Sequence, residues 1–236
     1  MSDNAQSPIT LLWKLCVELL HRAKLELYCG IGSIVEPFAT IPKDSTMSIV
    51  DNIRAHFRAA SAQDHADGMI WYPNARLHAH AISLALRKPL ECGAGIIASY
   101  SPLTGWAQNL AHAWSFVRTG SAPTFGAHNR MAAAVLVDGM DAVTGPKINP
   151  FGRAMMGDLS QVVNDSWMNF IATYAPGTEE AATARRIHKV TAAVPNLGVK
   201  RRREMDAAVR QIADESGLWP AEVQAITWVE GRGSAD

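Results

Sequence analysis

Two stretches decide the fold: GIIASYSPLTGWAQNLAHAW (residues 95–114) and VDGMDAVTGPKINPFGRAMMGDLSQVVNDSWMNFIATY (residues 137–174). In the first, Ile96, Ile97 and Tyr100 give a buried helix that stops at Ser101-Pro102. A second helix follows, carrying Trp106, Gln108, Asn109, His112 and Trp114. In the second stretch a Gly145-Pro146-Lys147 turn opens a short helix, a polar connection follows, and Val162-Val163-Asn164-Asp165 leads into another helix.

The helical pattern extends outward from there over nearly the whole chain. Helices are expected at 8–29, 46–60, 74–87, 90–100, 104–118, 127–137, 147–155, 165–174, 178–191, 200–215 and 220–230. Ser48 and Asp51, Asp165 and Pro220 stand where helix starts need them. Gly120, Gly139, Gly145, Gly157, Gly177 and Gly217 fall between the helices as stops. Val135-Leu136-Val137 has strand-like residues but ends an alanine-rich helical run. Ile31–Asp44, with Gly32, Pro37 and Pro42, reads as a connecting loop. No strand pair and no solenoid period is present. The expectation is an all-α, compact helical globule, one domain over 1–236, with room for two helical lobes around a cleft.

Composition agrees with a globule. The chain has 236 residues, 48% of them hydrophobic, and 22 basic residues balance 22 acidic ones. That excludes a disordered chain and a polycation that holds nucleic acid by bulk charge. Cys16, Cys29 and Cys92 are widely spaced without a CxxC pair, so they read as reduced thiols of a cytoplasmic protein. The apolar stretch from Ile9 to Leu20 is broken by Lys14 and Glu18 and reads as a core-facing amphipathic helix rather than a targeting segment. No run reaches the roughly 20 apolar residues that span a bilayer, so no membrane partner is expected.

The quoted residues resemble the helix-hairpin-helix DNA glycosylase superfamily, including divergent phage-type members related to thymidine-hypermodification enzymes. Ile97-Ala98-Ser99-Tyr100-Ser101-Pro102-Leu103-Thr104 is similar to that family's apolar helix ending in Ser-x-Gln-Thr. Gly145-Pro146-Lys147 is similar to the Gly-x-Lys of its hairpin, and Val162-Val163-Asn164-Asp165-Ser166-Trp167 to its Val-Asp-Thr-His. Eighteen residues separate Lys147 from Asp165 (165 − 147), similar to the interval in the bifunctional branch. A weaker likeness covers Gln224-Ala225-Ile226-Thr227-Trp228. The sequence departs from the pattern at Val143, where the hairpin's first glycine stands, and at Leu103, where its glutamine stands. Three scattered cysteines do not make the four ligands of an iron–sulfur cluster, and no cofactor is expected.

The resemblance implies Asp165 as the catalytic carboxylate and Lys147 as a possible nucleophile. Breaking an N-glycosidic bond builds oxocarbenium-like charge that a carboxylate stabilises, and a lysine amine attacks the sugar carbon to give a Schiff base. The base must leave the stack, and Ser101, Thr104, Trp106, Gln108, Asn109 and Trp167 are the expected substrate contacts. Arg76 follows Tyr72-Pro73-Asn74, read as a helix start, and is a candidate for substrate phosphate. Gly145 and the basic residues Arg185, Arg186, Lys200, Arg201, Arg202 and Arg203 would hold the DNA backbone, with Lys189 extending the patch; cations at a helix start oppose its dipole and so point to phosphate.

Bland readings compete. Asp165 is also placed to cap a helix, and Lys147 to be a solvated first-turn residue. His78 and His80, two apart, face different sides of a helix and give poor metal geometry; His112 and His128 add no ligand spacing. Trp13, Trp71, Trp114 and Trp219 sit in apolar surroundings and read as core. Three functions are left: cleavage of a modified base from DNA; transfer of an amine or amino acid onto an activated 5-hydroxymethyluracil; and DNA binding without catalysis.

Overall fold

The structure is a computed structural model that describes residues 47–186 and 197–233. The helix expected at 8–29, the 187–191 end of the helix expected at 178–191, the 31–44 loop and Lys189 lie outside the described residues. Serine caps start the first two helices. Ser48 Oγ accepts from the Asp51 N–H (3.3 Å) ahead of α1 (Ile49–Ala59). Ser61 Oγ accepts from the Asp64 N–H (3.1 Å), while the Asp64 carboxylate accepts from the Ser61 N–H (2.8 Å), ahead of α2 (Ala62–Leu86). This reciprocal pair satisfies two of the donors a helix start leaves open.

The remaining helices follow in order: α3 (Leu90–Tyr100), α4 (Trp106–Thr119), α5 (Gly126–Asp138), a 3₁₀ turn (Gly139–Ala142), α6 (Ile148–Met155), α7 (Ser166–Ile171), α8 (Glu179–Arg186), α9 (Val199–Ser216) and α10 (Pro220–Arg232). The described residues are all helix and connection, with no strand. Val135–Val137 is helical, inside α5.

One boundary requires correction. Tyr72-Pro73-Asn74 is not a helix start, because Pro73 lies inside α2, which begins eleven residues earlier. An interior proline removes one backbone hydrogen bond and costs about 3 kcal/mol. The capping box at Ser61 and the buried stripe Gly68, Tyr72, Ala75, Ala79 and Ile82 outweigh that cost. At the other end Arg87 adopts the left-handed conformation (φ 54°), where a glycine would be the usual stop.

Two apolar cores result. In the first, α3 is buried from Cys92 to Tyr100 and is packed by α2, α4, α5 and α6, with Ile82, Val135, Phe151 and Met155 around it. The second gathers Ile53 of α1, Met168 and Phe170 of α7, and Met205, Val209 and Ile212 of α9. Helix α10 serves both: Ala221 and Ala225 enter the first core and Val223 the second. The non-helical segment before α7 does the same, with Val162 on the second core and Val163 on the first.

Close helix contacts depend on missing side chains. A Cβ on Gly93 would lie 2.0 Å from the Ala79 carbonyl oxygen, and one on Gly68 would lie 2.6 Å from the Ile226 Cα. Both obstacles are backbone and cannot swing away. Gly93→Ala should lower unfolding stability by about 3 kcal/mol, the upper range for overpacking. Gly126→Ala in the first turn of α5, where a Cβ meets only the end of the Arg130 side chain at 3.4 Å, should be neutral or stabilising by up to about 1 kcal/mol. Urea denaturation of the two variants measures the contrast.

Candidate functional site

The chain between α3 and α4 turns sharply. Ser101 is buried at the end of α3, and Leu103 takes φ 58° with 89% of its surface exposed. A leucine in left-handed backbone is strained by about 1–2 kcal/mol. This turn forms one rim of a cleft of about 460 Å³ whose lining draws on both cores.

Aromatic rings form much of its wall. Trp71 lies 5.3 Å from Trp106, 5.8 Å from Phe151 and 5.9 Å from Trp228, centroid to centroid, in tilted or edge-on pairs. Each of the three tryptophans keeps part of its surface exposed. Trp167, which also lines the cleft, packs edge-on to Phe170 (5.7 Å).

Asp165 and Lys147 line this one cleft. Asp165 is the N-cap of α7: its Oδ1 accepts from the Met168 N–H (2.9 Å), and its Oδ2 accepts from the Trp228 indole N–H (3.2 Å). Capping and cleft position therefore coexist in one side chain, and both oxygens are held by donors. Lys147 precedes α6, half-buried, and its ammonium donates to the Ser101 carbonyl at 3.4 Å. That bond is long and weak.

The buried Tyr72 phenol donates to Gln224 Oε1 (2.7 Å). Burial, with the Asp165 charge added, pushes its pKa far above the ordinary value, so it stays a hydrogen-bond donor at any physiological pH.

Cations complete the lining. Arg202 Nη1 donates to the Asn164 carbonyl (2.9 Å), and Asn164 Nδ2 donates back to the Arg202 carbonyl (3.3 Å). The Arg232 guanidinium lies 4.3 Å from the Trp228 ring and 5.7 Å from Trp167. With Lys147 that makes three cations against one carboxylate among the described residues of the lining.

Of the substrate contacts expected from sequence, Ser101, Thr104, Trp106, Asn109 and Trp167 line the cleft. Gln108 does not: one position before Asn109 on α4, it points elsewhere, is exposed and pairs with His112 (2.8 Å). Arg76 is also outside. It is exposed one turn beyond Tyr72, and its Nη1 would lie 2.6 Å from a Cβ placed on Gly157. Gly145, with φ 118°, makes the turn before α6 and is exposed outside the cleft.

The basic run divides in two. Lys200 and Arg203 are exposed, and Lys200 is only 3.9 Å from Glu204. Arg201 turns inward, donating to Asn169 Oδ1 and to Thr173 Oγ1 (2.7 Å), and Arg202 faces the cleft. Burial lowers the pKa of both. These cations at the start of α9 oppose its dipole because they bind the chain around α7. Arg185 is exposed with its guanidinium 5.5 Å from the Phe170 ring; the Arg186 side chain lies outside the described residues.

His78 packs edge-on to Trp106 (5.8 Å), and burial lowers its pKa. No group of three or more metal-ligating side chains forms among the described residues, and none of their helices is long and apolar enough to cross a membrane.

Sequence reasoning placed Trp71 in the core and passed over Tyr72, Asn164 and Arg232 as site residues. Gln224, Trp228 and Arg232, spaced four apart on α10, were a legible stripe.

Residues 36–235 match the model of a family of unknown function (DUF7178), and the chain belongs to that family. No curated protein and no solved structure matches it.

Removing the Arg201 guanidinium takes a donor from buried Asn169 and from Thr173. Arg201→Met should therefore cost about 2 kcal/mol in stability. Lys200→Met, at a side chain 93% exposed, should stay within about 0.5 kcal/mol. Chemical denaturation distinguishes these outcomes.

Proposed function

We propose that this protein is a DNA-base-processing enzyme with a glycosylase-like fold, cleaving the N-glycosidic bond of a flipped, modified base. One observation carries the reading: Asp165 and Lys147, the pair the sequence resemblance singles out, line the same aromatic cleft. A displaced base would stack among Trp71, Trp106 and Trp228. Asp165, fixed by Met168 N–H and Trp228 Nε1–H, would face the sugar. As the bond to the base breaks, positive charge grows on C1′ and its ring oxygen. A carboxylate about 4 Å away stabilises that charge by about 4 kcal/mol at an effective dielectric constant near 20. Water then adds to C1′, or the Lys147 nitrogen does after giving up a proton, and the departing base takes up one proton. Tyr72, locked as a phenol, donates and does not act as base.

The cations favour a second reading. Lys147, Arg202 and Arg232 in one lining suit a pyrophosphate leaving group. On this reading an amine attacks the 5-methylene carbon of an activated 5-hydroxymethyluracil, and pyrophosphate departs with the oxygen. The exposed Lys200, Arg203 and Arg185 would contact DNA phosphates in either case, and in a DNA-binding module without catalysis.

Incubation with duplexes holding modified thymine or cytosine should release free base or leave abasic sites. Asp165→Asn, which retains a capping oxygen, should reduce the rate by at least about a hundredfold, the scale of losing one electrostatic stabiliser. Borohydride should trap a protein–DNA adduct that Lys147→Gln cannot form. No product from any base, with Asp165→Asn equal to wild type, overturns the reading; a mass gain in the nucleoside without base loss moves it to group transfer.

DNA affinity should fall with salt, and Lys200→Gln with Arg203→Gln should reduce the slope of log K against log salt by up to about two. Salt titration of binding by fluorescence anisotropy measures this; an unchanged slope removes these residues from the DNA surface.

A further inference from the structure

Among the described residues, three buried polar atoms on side chains that line the cleft have no protein partner. Ser101 Oγ, Asn109 Oδ1 and Asn164 Oδ1 are each buried and make no hydrogen bond, and all three residues line the cleft. Their residues are only 5%, 2% and 5% exposed. Native proteins rarely leave such atoms unpaired, and each one calls for an explanation.

A neighbour sets the chemical sense of one of them, Asn164. The Asn164 amide nitrogen donates to the Arg202 carbonyl, which can only accept, so Asn164 Oδ1 is an acceptor awaiting a donor. Asn109 Oδ1 presents a second acceptor, and the Ser101 hydroxyl can serve either way. The cleft therefore asks its ligand for N–H groups. An ammonium ligand would supply them but would meet Lys147, Arg202 and Arg232, with Asp165 the one carboxylate among the described lining residues. A neutral planar ring supplies them without that repulsion, and the half-buried rings of Trp71, Trp106 and Trp228 offer it faces to stack on.

We propose that Ser101, Asn109 and Asn164 form a specificity subsite for a base bearing an exocyclic amino group, of which cytosine is the pyrimidine case. Cytosine presents two N–H donors at its amino group; uracil and thymine present a single ring N–H and a carbonyl oxygen. That oxygen would face the unpaired acceptors and leave them unsatisfied. This assignment rests on the reading of the cleft as a base pocket, and it favours base cleavage over transfer to a uracil.

The test uses the full chain and three duplexes that differ at one nucleotide opposite an abasic site. That nucleotide is 2′-fluoroarabino-cytidine, 2′-fluoroarabino-uridine, or a second abasic position. The fluorine resists glycosidic cleavage, and neither base is paired. Fluorescence anisotropy should show the cytosine duplex binding about tenfold tighter than the uracil duplex, one net hydrogen bond. Asn109→Leu, nearly isosteric, should bring that ratio to within about twofold. Asn109→Asp, which keeps the acceptor, should retain the preference, and Ser101→Ala should reduce it about threefold.

Equal binding of cytosine and uracil, both tighter than the abasic duplex, overturns the subsite and leaves the base pocket standing. Equal binding of all three duplexes overturns both. A ratio unchanged in both Asn109→Leu and Ser101→Ala also overturns the subsite.

Discussion

Helix α10 is asked to close two cores at once, and the rest of the molecule is arranged around that demand. Its Ala221 and Ala225 meet the first core and its Val223 the second, so both faces are committed. The helix can approach α2 closely because Gly68 offers no side chain against the Ile226 backbone. A helix committed on two sides still has a third face, and Gln224, Trp228 and Arg232 occupy it. That stripe turns to the space the two cores leave between them. The cleft is thus a consequence of packing two helical groups against one shared element.

The segment Val162–Asp165 makes the crossing from the other side. It sends Val162 and Val163 to different cores, and the chain then enters α7 at Asp165. The N-cap role fixes one carboxylate oxygen, and Trp228 fixes the other. A capping interaction contributes about 1 kcal/mol to a helix. Here it also orients a charged group at the seam between cores. The Arg202–Asn164 exchange of hydrogen bonds holds the same segment from α9. The basic run therefore belongs partly to the architecture of the cleft, although its composition alone suggests a solvent-facing grip on phosphate.

Most helices were legible in the sequence because their signals are local. Ser48, Asp165 and Pro220 mark starts through interactions made within one turn. The glycine at 217 marks a stop because glycine takes the left-handed φ of 71° without the steric cost that a side chain brings. The failure at α2 has the same origin. Pro73 is a strong local signal for a boundary, and reading it so hid the first half of the helix with Trp71 and Tyr72. Burial of Gly68, Tyr72 and Ala75 against other helices overruled the proline, and no local rule contains that term. Gln108 and Arg76 were misplaced for a related reason: residue type suggested polar contact, but one step along a helix turns a side chain by about 100°.

The sequence by itself determined the helical class and most helix limits. These follow from periodicity, capping and turn chemistry, all of which act within a few residues. Tertiary structure alone decided that Lys147 and Asp165 share a cleft, that Trp71 and Trp228 furnish its walls, and that Arg201 faces inward while Lys200 faces solvent. It also decided which polar atoms are left without partners. Each of these depends on groups far apart in the chain being desolvated together, and burial is a property of the packed whole.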